Sequence, residues 1–154
     1  MIETSPERGS VLDPLAPALV LDTNVVLDWL LFSDPRSAAL ADAIASGRVR
    51  WIASAAMRAE LEHVLARGIH SARAGGVEGV FEGWSRWAVH IEPWDRPSPR
   101  NIRCSDPDDQ KFIDLALQVG AGSLVSRDRA VLKLARRAAA LGLSIVTLAG
   151  WRVV

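Results

Sequence analysis

The chain has 154 residues, with 18 Lys and Arg against 18 Asp and Glu, so its formal net charge is zero. That length fits one domain and can bury about 68–70% of its unfolded surface, so folding requires no metal or disulfide staple. The single cysteine, Cys104, excludes an internal disulfide framework and a cysteine-based zinc cluster, and the balanced charge excludes a global pull toward nucleic acid.

Residues 1–17 hold Pro6, Pro14 and Pro17 without periodicity, and read as an N-terminal tail ahead of a single domain over 18–154. The opening MIETSPERGS carries acids and a proline where a secretory leader has basic and then apolar residues. The most apolar stretch, 18–32, is cut by Asp22 and Asp28, so no membrane span is expected and the expected location is the cytoplasm. Residues 18–21 form a short apolar run suited to a buried strand. Beyond Asp22-Thr23-Asn24, the apolar Val25, Val26, Trp29, Leu30 and Leu31 recur at helical spacing up to Asp34-Pro35. Residues 37–46 predict a second helix, ended by Gly47. A second strand spans 49–53, and Ser54 is a good N-cap for a helix to about Arg67, with Gly68 as its stop.

Over 71–88, Val77, Val80, Phe81, Trp84 and Trp87 share a helical face, although each interior glycine there costs about 1 kcal/mol against alanine. A third strand is expected at 89–92, and four prolines make 93–107 an irregular connection. A helix at 108–119, a strand at 123–125, a helix at 129–141 and a strand at 144–148 complete the chain. The alternation predicts an α/β three-layer sandwich around a central five-stranded, mainly parallel sheet. Ligands of such sheets bind beyond the carboxyl ends of the strands.

Four acids stand where that rule directs attention. Asp22 follows the first strand directly, and Thr23 or Asn24 is free to cap the following helix in its place. At 100° per residue, Glu60 falls on the apolar stripe of Met57, Leu61, Val64 and Leu65, a costly position for an acid without a partner. His63 is within reach of it. Asp108 and Asp109 flank the apolar face of their helix, and periodicity does not separate them. Asp128 lies just past the fourth strand, between Arg127 and Arg129. Alone, Asp22, Asp109 and Asp128 each have a cap or helix-start explanation, and His63 could satisfy Glu60. Together, converging carboxylates repel one another, and a divalent cation removes that penalty. All-oxygen ligation suits Mg²⁺ or Mn²⁺, and such a site activates water and clamps a phosphodiester. Arg127 and Arg129 are then placed to guide the substrate backbone. His63, His70 and His90 have no triad-like context, and no glycine-rich phosphate loop follows a strand. The alternatives are a non-catalytic module that binds RNA or a protein partner, with Trp84 and Trp87 as a contact surface, and a phosphate-accepting receiver. The receiver needs a lysine near the end of the last strand, whereas Lys111 and Lys133 both fall in helices.

The segments LVLDTNVVLDWLL, SAAMRAELEHVL, CSDPDDQKFIDLAL and SLVSRDRAVLKLA, in this order, resemble the PIN domain over about residues 18–150. The Asp-Pro-Asp-Asp-x-x-Phe block resembles the branch described as toxin components of toxin–antitoxin pairs. The resemblance implies a metal-dependent nuclease that cuts single-stranded RNA, a small antitoxin partner and a homodimer. Matched position by position, it assigns the acidic set to Asp22, Glu60, Asp109 and Asp128, with Asn24 and Ser126 in support.

Overall fold

The five short apolar segments become five strands: β1 (Ala18–Leu21), β2 (Arg50–Ala53), β3 (Ala88–His90), β4 (Ser123–Val125) and β5 (Ser144–Val146). The computed structural model describes residues 15–68, 76–95 and 98–153, so most of the expected tail, His70 and the start of the expected 71–88 helix lie outside the described residues. All four pairings are parallel and the order is β3-β2-β1-β4-β5. β3 and β5 end sooner than the apolar pattern suggests because their partners end: His90 pairs with Ala53 and Val146 with Val125.

Among the described residues seven α-helices accompany them: α1 (Thr23–Leu30), α2 (Ala38–Ala45), α3 (Ala55–Ala66), α4 (Gly76–Trp87), α5 (Gln110–Gln118), α6 (Arg129–Leu132) and α7 (Ala135–Ala139). Ser54 caps α3 through Met57 N, and Gly68, at φ 84°, supplies the left-handed residue that stops the chain after it. The expected 129–141 helix is divided in two. Leu134 N–H bonds to Val131 O, three residues back, and this tighter turn interrupts the α-helical pattern.

The chain winds outward from β1 to β2 and β3, then crosses back to β4 and β5 on the other side. Right-handed crossovers therefore put the two sets of helices on opposite faces. α1 packs on α3 and α4, α5 on β1 and β4, and α7 on β5. Every residue of β1 is buried, as a strand covered on both faces requires. The indole rings of Trp29, Trp51 and Trp84 form a chain, with centroids 5.4 and 5.0 Å apart, and Trp87 lies 5.6 Å from Trp29. Trp84 Nε1 donates to His90 Nε2 at 2.8 Å. Among the described residues no helix is long and apolar enough to cross a membrane.

Candidate active site

The sheet reverses its winding between β1 and β4, and there an open α/β sheet leaves a crevice beyond its strand ends. Register pairs Leu21 with Val125, so the next residues, Asp22 and Ser126, emerge side by side. Asp22 N donates to Val125 O at 3.0 Å, which fixes the backbone at this point. The fully buried Ser126 hydroxyl donates to Asp22 Oδ2 at 2.6 Å and accepts from Asp128 N at 3.0 Å. One hydroxyl thus ties the two strand-end acids together.

Asp22 is itself the N-cap of α1, accepting from Asn24 N at 3.4 Å through Oδ1. This corrects the expectation that Thr23 or Asn24 would cap: a single carboxylate both caps the helix and lines the crevice. Asn24 is exposed, and its link to Asp22 runs through its backbone N–H. Thr23 instead donates its hydroxyl to Glu60 Oε2 at 2.5 Å. The other oxygen, Oε1, forms an ion pair with Lys111 of α5. His63, the partner within sequence reach, is exposed. The inward acid is satisfied from two other elements.

Ahead of α5, Pro107–Asp109 forms a single 3₁₀ turn, which separates the two acids that helical periodicity leaves equivalent. Asp108 is exposed, whereas Asp109 is only 9% exposed. Asp109 Oδ2 is buried with no hydrogen-bond partner among the described residues. Burial, the Asp22 charge and the adjacent Asp128 carboxyl push the Asp109 carboxyl up to about 7. Burial also raises Asp22, against the Ser126 and Asn24 hydrogen bonds, with Asp128 and Glu60 adding their repulsion. Asp128 caps α6 through Ala130 N at 2.8 Å. Asp22, Glu60, Asp109 and Asp128 therefore share one electrostatic neighbourhood.

Two further acids escape the sequence reading. Carboxylate oxygens of Asp106, Asp109 and Asp128 lie within 4.8 Å of one another. Asp106 is the extended N-cap of the Pro107–Asp109 turn, and its side chain accepts from Asp108 N at 3.0 Å. Asp28, which stood out only as a break in an apolar run, is buried in α1 with Arg127 Nε 3.4 Å from its Oδ2. Burial raises its carboxyl and Arg127 opposes the rise. Arg127 and Arg129 are both exposed beside Asp128.

The donor set is all oxygen, and a buried carboxylate oxygen stands without a partner. Both features fit a hard divalent cation. A sequence model of the PIN domain matches residues 18–130. The chain belongs to the PIN domain family. PIN domains are generally nucleases, and the matched span contains all four acids. A chain in the crystal structure of VapBC2 from Rickettsia felis bound to a DNA fragment from their promoter superposes on this PIN domain with a TM-score of 0.59. The match covers 84% of this chain and 98% of that chain at 13% identity, a likeness of fold. The sequence matches no curated protein.

Proposed function

We propose that this PIN domain is a divalent-metal-dependent endoribonuclease that hydrolyses phosphodiester bonds of single-stranded RNA in the cytoplasm. The observation that carries the proposal is the buried Asp109 carboxyl, with Oδ2 unpartnered, amid the charges of Asp22 and Asp128. Asp22, Glu60, Asp109 and Asp128 are the side chains that would hold Mg²⁺ or Mn²⁺, and the bound ion would offset their repulsion and activate water for in-line attack.

The chain's other residues prepare that pocket. Ser126 orients the Asp22 carboxylate and the backbone of Asp128. Thr23 and Lys111 hold Glu60 in place. Arg127 and Arg129 offer positive charge to phosphate oxygens, contacts that position a strand without reading its bases.

The toxin reading rests on the Asp106-Pro107-Asp108-Asp109 block and on the fold shared with a chain of the VapBC2 structure. On that reading a small antitoxin covers the acidic pocket with a basic side chain, and the toxin is a homodimer. Trp84 is buried and the half-buried Trp87 packs on Trp29, which speaks for a packing role over a contact surface in the binding-module alternative.

Incubation of the purified protein with single-stranded RNA and Mn²⁺, then with chelator, tests the enzyme. Chelator-sensitive cleavage is expected, and Asp22→Asn and Asp109→Asn should fold and fail to cleave. Full activity in both variants would overturn the site, and absence of any cleavage would favour the binding module. A small reading frame beside the gene, whose product abolishes cleavage, is expected of a toxin. Its absence removes the toxin role and leaves the nuclease.

A further inference from the structure

We propose that Asp106 is a fifth cation-binding carboxylate, which shares a divalent ion with Asp109 and Asp128 at the exposed side of the acidic pocket. This rests on the metal-dependent reading above and says where in the pocket the ion goes.

Asp22 accepts from the Ser126 hydroxyl and from Asn24 N, and Glu60 accepts from the Thr23 hydroxyl and the Lys111 ammonium, so each of these oxygens keeps one lone pair. On the other side, Asp106 uses Oδ1 to cap the 3₁₀ turn at Asp108 N, 3.0 Å away, and Asp128 uses Oδ1 at Ala130 N. Each leaves its second oxygen out of the cap. Between them Asp109, nine-tenths buried, has an Oδ2 with no partner among the described residues. Carboxylate oxygens of these three residues lie within 4.8 Å of one another, close enough to share one ion. Asp106 is exposed, which gives a hydrated ion a side of entry. Mg²⁺ and Mn²⁺ commonly keep several waters and take few carboxylates, so a three-acid site open to solvent suits them.

Asp106 has a structural duty as a cap, and the test separates that duty from ligation. Asn caps as well as Asp and removes the charge. Mn²⁺ is titrated into the full chain while free Mn²⁺ is followed by electron paramagnetic resonance, with the fold monitored by circular dichroism. Asp106→Asn should weaken Mn²⁺ binding by at least about tenfold, the scale on which even residues around metal ligands act. Asp42→Asn, a control on α2, should bind as the wild type does. Should Asp106→Asn fail to fold, Asp106→Ser also caps and repeats the measurement. Wild-type affinity in the Asp106 variant, with binding lost in Asp109→Asn, would overturn this inference and leave the nuclease reading intact. No Mn²⁺ binding by the wild type would overturn both.

Discussion

Lys111 on α5 forms an ion pair with Glu60 on α3, joining residues 51 positions apart in the chain. Its side chains are 26% and 28% exposed, between the surface pairs that contribute little and the buried pairs that are costly to break. Lys111→Met should therefore cost about 1–2 kcal/mol in metal-free buffer, because Glu60 then adds an unbalanced charge to the acidic pocket. Mn²⁺ should recover more stability in this variant than in the wild type. Thermal unfolding with and without Mn²⁺ checks both statements, and equal metal gains in the two proteins would refute the link.

Removing the hydroxyl that joins the strand-end acids should be felt twice. Ser126→Ala leaves Asp22 Oδ2 and Asp128 N without their partner in a fully buried position. The cost of such orphaned groups is about 1–3 kcal/mol. A lowered urea midpoint with unchanged m-value is expected, together with reduced cleavage.

Without metal, stability should fall as pH rises between about 4 and 7. Asp109 ionises near 3.8 when unfolded and near 7 when folded, so over that interval the folded chain holds the extra proton. The contribution is fully present below 3.8 and is lost as pH passes through 7. The raised carboxyls of Asp22 and Asp28 act in the same direction. Asp109→Asn should flatten the profile and be more stable than the wild type at pH 8 in chelator. Saturating Mn²⁺ should reverse that order, since only the wild type gains binding energy. Urea unfolding across the pH range, with and without metal, reads both.

Much of this arrangement is legible in the sequence, for a specific reason. β1 is an uninterrupted apolar run and β4 ends in Leu124-Val125, each followed directly by a polar residue, so Asp22 and Ser126 mark their own positions. The sequence is less informative where geometry departs from the α-helical period. Asp108 and Asp109 are equivalent at 100° per residue, but the Pro107–Asp109 turn buries one, exposes the other and places Asp106 beside Asp109. The partner of Glu60 was also out of view. Local spacing points to His63, whereas folding brings Lys111 and Thr23 from two other helices.

Two glycines of α4 should respond differently to alanine. A Cβ at Gly79 meets nothing within 4 Å, so Gly79→Ala should gain about 0.5–1 kcal/mol of helix stability. At Gly83 the new carbon would stand 2.7 Å from Leu30 Cδ2, where α4 crosses α1, so the half-buried end of Leu30 must turn aside. That shift offsets part of the helical gain, and Gly83→Ala should be less stable than Gly79→Ala. Equilibrium urea unfolding of the two variants reads the difference.

Arg127 is partly engaged by Asp28, while Arg129 is exposed on the first turn of α6. Arg129→Ala should raise KM for RNA more than it lowers kcat. It should also reduce the salt slope of binding by about 0.7, the share of one phosphate contact on a single strand. Unchanged salt dependence would remove Arg129 from the substrate path.

The parallel sheet also governs when the pocket first exists during synthesis. Asp22 is made early, yet its amide is anchored by Val125 O and its carboxylate by Ser126, more than a hundred residues downstream. No hairpin can stand in for that crossover. A nascent polypeptide still lacking β4 at the ribosome therefore carries an unassembled acidic centre, completed only once the late-translated part of the chain has emerged.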